Sequence, residues 1–229
     1  AVPGHARQRD FYIVQAAEFR RKDQKVVVII SDALRYEVGE ETLREIRKLN
    51  RFDAELKPMI ASLPSYTQLG MASLLPHQEL ALRDDNEQIL LDGESTVGAA
   101  AREKALRSGR TGDRAKVMLA KDFMNLGTTE GKDLFRDHDI VYLYHNQIDA
   151  TGDKSVTEEN VPKAVEDTIE DLLKLVRKLT SANFSNILIT ADHGFLWQHR
   201  PLDESGFALA EPKGDITCRN RRFVIGRGL

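Results

Sequence analysis

The stretch N-I-L-I-T-A-D-H-G-F, residues 186–195, decides how this chain folds and where its chemistry gathers. Its apolar run reads as a short buried strand, and it delivers Asp192 and His193 side by side to the point where Gly194 ends it. Neighbouring side chains of a regular strand face opposite sides of the sheet, so both can reach one ion only where the backbone turns. Gly194 allows such a turn. An adjacent Asp-His pair at the carboxyl end of a core strand has two uses, as metal ligands or as a structural corner. Whether other strand ends carry further ligands decides between them.

Working outward, residues 26–30 are five β-branched aliphatics in a row, the pattern of a strand buried on both faces of a parallel sheet. Asp32 follows at the strand end, and residues 37–50 read as an amphipathic helix through Val38, Leu43, Ile46 and Leu49. A lead-in helix is expected over 10–22 and a second strand over 52–60. From Thr67 the apolar spacing is helical as far as Pro76, which leaves two readings of Thr67: a helix cap, or a hydroxyl in a pocket suited to an anion. Residues 77–116 read as a peripheral excursion with a short strand at 88–91 and a helix at 97–106. Residues 117–125 suit a strand or a short helix, and 139–144 another buried strand that feeds His145, Asn146, Asp149 and Asp153. A long helix over 157–179 follows, with Thr157 as its cap and Glu158 and Glu159 in its first turn. A last strand is expected at 222–225. Strands alternating with helices imply an α/β fold, a mostly parallel central sheet with helices on both faces.

A chain of 229 residues suits one sizeable domain. Its 41% hydrophobic and 30% charged residues are ordinary for a globular protein, and a net charge of -3 supplies no global basic field for nucleic acid. The single Cys218 excludes an intrachain disulfide and a multi-cysteine metal site, which fits a reducing cytoplasm. No apolar stretch approaches the ~20 residues that cross a bilayer, so a soluble protein without a membrane partner is expected. Residues 109–112 carry glycines but lack the Lys-Ser/Thr of a phosphate-binding loop, and no G-x-G-x-x-G occurs. The chain starts at Ala1 and stops just after a predicted strand, so a piece of a longer protein is expected.

Open parallel sheets bind ligands beyond the carboxyl ends of their strands. Those positions hold Asp32, Thr67, Asp149 with Asp153, and Asp192 with His193. Several carboxylates at one edge repel strongly unless cations lie between them. Divalent ions there would polarise a phosphoryl group and lower the pKa of a coordinated hydroxyl.

The motifs S-D-A-L-R-Y-E (31–37), L-P-S-Y-T-Q-L-G-M-A (63–72), Y-H-N-Q-I-D-A-T-G-D (144–153) and T-A-D-H-G-F (190–195) together resemble the PglZ domain of bacterial BREX phage-defence systems, within the alkaline phosphatase superfamily. The resemblance runs in order over nearly the whole chain. It implies that Asp32, Asp192, His193 and the nucleophile Thr67 surround one metal, and that Asp149 opens the ligand set of a second. Asp153 stands where a His is usual in that set, and a later His has no clear counterpart, His199 being close after His193. The missing ligand is expected beyond Leu229. The resemblance further implies one or two divalent ions, zinc first with manganese or magnesium also suited, and a phosphate-ester substrate such as a phosphodiester, a nucleotide or nucleic acid. Other phage-defence proteins are the implied partners. Arg35 and Asn146 are candidates for phosphate contact, although Arg35 can as readily pair with Glu37. The alternative is a catalytically weak scaffold or sensor domain of the defence complex, for which Asp153 in place of His speaks.

Overall fold

The computed structural model of the chain describes residues 5–83, 87–108, 114–146, 161–195, 211–220 and 223–229. In chain order, β1 (Ala6–Arg7) leads through a 3-10 turn (Gln8–Asp10) and a π-helical stretch (Tyr12–Ala16) into α1 (Ala17–Arg21). Then come β2 (Val26–Ser31), α2 (Tyr36–Lys48), β3 (Met59–Ile60) and α3 (Thr67–Ser73). The strands β4 (Leu80–Leu82), β5 (Ile89–Leu91) and β6 (Glu94–Ser95) precede α4 (Ala99–Arg107), β7 (Ala115–Leu119), α5 (Ala120–Asn125) and α6 (Thr128–Asp137). The remainder is β8 (Ile140–His145), α7 (Val161–Ser181), β9 (Ile187–Thr190), β10 (Asp215–Arg219) and β11 (Val224–Arg227).

Five β-branched residues in succession leave β2 no face to give to water, and Val26 through Ile30 are all fully buried. The strand lies inside a parallel sheet of order β7-β8-β2-β9. Its side chains alternate between two cores. Val26, Val28 and Ile30 join Tyr142, Met71, Leu74 and Leu106 on one face, whereas Val27 and Ile29 join Leu143, Phe123, Ile169 and Leu172 on the other. Helices therefore cover both faces: α3 and α4 one, α2, α5, α6 and α7 the other.

Register sets the edge where chemistry can occur. Ile30 pairs with Tyr144 on one side and Thr190 on the other, so β2, β8 and β9 end level with one another. The residues just past these three strands emerge at one rim.

Several expectations change. Of residues 52–60 only Met59–Ile60 forms a ladder, with Ala6–Arg7. Residues 52–58 are extended and alternate outward, but they are tied to α2 by side chains: Arg47 donates to the Ala54 carbonyl, and Leu56 lies against Gly39. Pro58 brings no N–H to a ladder. The expected helix over 10–22 is split between 3-10, π and α turns, and 117–125 is both things expected of it, an edge strand and then a short helix. β11 falls on the strand expected at 222–225, displaced by two residues, whereas β10 is not among the expected strands: its residues alternate polar and apolar over only five positions and are mostly exposed. The expected cap and first turn at Thr157, Glu158 and Glu159 lie outside the described residues, as does Arg222.

Candidate metal centre

β2 ends at Ser31, and the ladder with β8 runs one step further because the Asp32 N–H donates to the His145 carbonyl at 2.8 Å. The backbone then turns through Ala33, whose φ of 60° is left-handed, and the Ala33 N–H points back across the sheet edge to Asp192 Oδ1 at 3.1 Å. From β9 the chain bends through Ala191 so that Asp192 and His193 both face this point. Asp32, Asp192 and His193 are all buried, and one ligand atom from each falls within 4.8 Å of the other two. His193 Nε2 stands 3.4 Å from Asp32 Oδ1 and 3.5 Å from Asp192 Oδ2.

The Gly194 carbonyl lies 2.8 Å from His193 Nδ1 and can only accept, so Nδ1 carries a proton and Nε2 is the ring nitrogen turned inward. Burial pushes the Asp192 carboxyl up to about 6. Asp192 Oδ2 is enclosed with no hydrogen-bond partner among the described residues. Two adjoining buried carboxylates and the inward Nε2 make a donor set of oxygen and nitrogen that a divalent ion fits.

Thr67 reaches the same point from the other core face. It is the first residue of α3, Tyr66 occupies the cap position, and no side chain caps the helix. The Thr67 hydroxyl is thus not a cap: its Oγ1 lies within hydrogen-bond distance of His193 Nε2, at 3.1 Å. Tyr66 is fixed by its hydroxyl bond to the Glu87 carbonyl and by Phe223, whose ring centroid is 4.9 Å away.

The other sequence candidates fall differently. Arg35 lies beside the site, its Cβ 3.3 Å from where a Gly194 side chain would begin, but its guanidinium grips Glu37 through Nε at 2.7 Å and Nη2 at 2.5 Å and lies over the Phe195 ring. That pairing draws the Glu37 carboxyl down to about 2. Asn146 is exposed just past β8. His145 turns to Ser31 Oγ at 3.1 Å, and burial lowers its pKa. Asp149, Asp153 and His199 lie outside the described residues. Gly194 does not take a left-handed φ; its lack of a side chain matters for the approach of Arg35.

Two residues that position the centre escaped sequence reasoning. At Gly70 an added Cβ would sit 2.2 Å from the Asp192 carbonyl oxygen, so only glycine lets α3 press its backbone against the Asp192 bend. A lone glycine inside a helical pattern was the available signal. Gln8 bonds to both sides of the site and had no signal, because its partners are main-chain atoms distant in sequence.

Residues 11–229 match the family described as the BREX system PglZ alkaline phosphatase-like domain. The chain belongs to the PglZ family. Its PglZ relatives include the alkaline phosphatase-like protein BrxZ of Escherichia coli O9:H4 (strain HS), 40% identical over 233 residues and the whole of this chain. The alkaline phosphatase-like protein PglZ of Bacillus cereus (strain H3081.97) is 35% identical over 225 residues, 98% of this chain. The chain spans 26% of the length of each relative. The mixed α/β architecture with its parallel sheet is that of the alkaline phosphatase-like PglZ domain.

Proposed function

We propose that this PglZ domain is a metal-dependent phosphoric ester hydrolase in which Thr67 is the nucleophile. One observation carries the reading: Thr67 Oγ1 stands 3.1 Å from His193 Nε2, at the buried meeting point of Asp32 and Asp192. Asp32 and Asp192 would hold a divalent ion through oxygen and His193 through Nε2, with the Nδ1 bond to Gly194 keeping that nitrogen aimed. A bound ion supplies charge to offset the paired carboxylates, polarises a phosphoryl oxygen and favours the ionised form of a nearby hydroxyl. The mixed nitrogen and oxygen set suits zinc first, and manganese or magnesium after it. Asp149 and Asp153 are the proposed donors of a second ion.

Thr67 is half-buried, so a phosphate ester can reach its hydroxyl from solvent. In the first step Thr67 Oγ1 bonds to phosphorus, its proton passes to solvent, and the ester oxygen leaves with the electron pair of the broken P–O bond and takes up a proton. Water then attacks the phosphothreonine, releases the phosphate product and restores the hydroxyl. A phosphodiester is the favoured substrate class, nucleotides or nucleic acid among them, because the loop Pro64-Ser65-Tyr66-Thr67 resembles that of nucleotide pyrophosphatase-like members. Membership of a BREX family supports action within a phage-defence assembly beside other proteins of the system, with the cytoplasm as its proposed location. Arg35 and Asn146 are the proposed contacts for the non-bridging phosphate oxygens, Arg35 on release from Glu37.

Turnover of bis(4-nitrophenyl) phosphate and 4-nitrophenyl phosphate, with zinc or manganese and then with chelator, tests the proposal. Hydrolysis is expected to need metal and to fall by roughly 10³-fold in Thr67→Ala. Full metal-dependent turnover in Thr67→Ala removes the threonine from its role. An inert metal-loaded native protein instead supports a scaffold or sensor.

A further inference from the structure

A buried primary amide is costly unless its donors and its acceptor are met. Gln8 is 2% exposed, yet it stands outside every element of the parallel sheet, in the 3-10 turn after β1. Its Nε2 donates to the Ala191 carbonyl at 3.0 Å and to the Asp192 carbonyl at 2.5 Å, and its Oε1 accepts from the Ser62 N–H at 3.0 Å. The two ends of one side chain thereby hold two different segments. One is the bend after β9 that carries Asp192 and His193. The other is the loop from β3 to Thr67, further fastened by Ser62 Oγ at 2.8 Å from Ser73 Oγ at the end of α3.

These are the segments whose separation sets the Thr67 to His193 distance. The Asp192 carbonyl that Gln8 grips is the same oxygen that leaves no room for a side chain at Gly70. The bend is therefore pressed by α3 and gripped by Gln8 at one atom. No other common side chain fits both demands. A carboxylate would set negative oxygen against two carbonyls, and a hydrocarbon would deprive three main-chain groups of this partner, the buried Asp192 carbonyl among them.

We propose that Gln8 is a positioning residue for the candidate centre: its amide fixes the spacing between the Asp192–His193 bend and the Thr67 loop, so that four side chains share one point. The proposal rests on the metal-dependent reading of that centre. Loss of the amide would let the bend and the loop drift independently. The consequence is weaker ion binding and slower turnover, without a change in how substrate is held.

The test is zinc titration by calorimetry on the native protein and on Gln8→Met, Gln8→Glu and Asp192→Asn, with thermal unfolding of each in chelator. Gln8→Met keeps the length and removes all three bonds, whereas Gln8→Glu keeps the acceptor for Ser62 and opposes the two carbonyls. Both are expected to raise the zinc dissociation constant by about 10- to 100-fold, as loss of a partner behind a metal ligand does. Both should lower kcat for a nitrophenyl ester at saturating zinc and leave KM in place, which a merely structural residue would not do. Native zinc affinity in both Gln8 variants overturns the proposal while leaving the metal reading intact. A native protein that takes no zinc, or an Asp192→Asn protein that binds it equally well, overturns the metal reading and this inference with it. If neither Gln8 variant unfolds cooperatively, the residue is a strut of the fold and the proposal also falls.

Discussion

At Gly70 two opposing effects can be weighed directly. Alanine is the better helix former by about 1 kcal/mol, which favours Gly70→Ala. Against it, the new methyl would lie 2.2 Å from the Asp192 carbonyl oxygen and 2.9 Å from its Cα, main-chain atoms that cannot swing aside. Overpacking of this kind costs about 1–3 kcal/mol, and contact with backbone belongs at the upper end. Gly70→Ala is expected to lose roughly 2 kcal/mol in urea unfolding and to weaken zinc binding, because Asp192 has to move. Unchanged stability and affinity would show that the close approach has no energetic weight. The same scale marks what residue patterns reveal. That Asp32, Asp192 and His193 meet follows from carboxyl ends of adjoining parallel strands, which hydrophobic runs disclose. Gly70 and Gln8 answer to main-chain carbonyls more than a hundred residues away, and no local pattern encodes such a partner.

Among the elements, β2 carries the sheet. Ile29 is fully buried between Leu143 on β8 and Ile189 on β9, and its side chain faces α7. Ile29→Ala removes three carbons from a site that strands on both sides keep from collapsing. The expected loss is about 2–5 kcal/mol, seen as a lower urea midpoint with an unchanged slope. A loss below about 1 kcal/mol would mean the sheet repacks around the gap. Elements of this kind were legible because burial on both faces leaves an unbroken apolar run, and α2 because Val38, Leu43, Ile46 and Leu49 recur at helical spacing, Val38 and Ile46 of them buried. The others were illegible for the converse reason. Residues 52–58 alternate like a strand but are held by Arg47 and by packing on α2, and β10 is a ladder of main-chain bonds with four of five side chains exposed.

For the molecule as a whole, acid stability has an identifiable contributor at the end of the sheet opposite the candidate centre. Asp139 receives Arg114 through Nε at 3.1 Å, Nη2 at 2.9 Å and the backbone N–H at 3.1 Å, so that β7 and β8 are fastened where both begin. The guanidinium holds the Asp139 carboxyl at about 2, below its unfolded range near 4. A depressed acid contributes stability that is complete above the unfolded value and is lost as pH falls through the folded one. Arg114 is largely exposed, so solvent screening limits the contribution to about 1 kcal/mol. Asp139→Asn should therefore be less stable than the native protein by about that much at pH 5 to 7, with the difference closing between pH 4 and 2. A difference independent of pH would assign the effect to geometry instead of charge.

Among the described strands, β9 is the last in sequence to join the parallel sheet, and it pairs with β2 alone. Gln8 and Asp32 lie at one end of the chain, and Asp192 with His193 at the other. A ribosome therefore makes β2 and β8 while two of the three donors of the proposed centre, Asp192 and His193, are still unmade. In the proposed centre the three donors can meet only once β9 has paired with β2, so a captured ion would report a finished sheet edge.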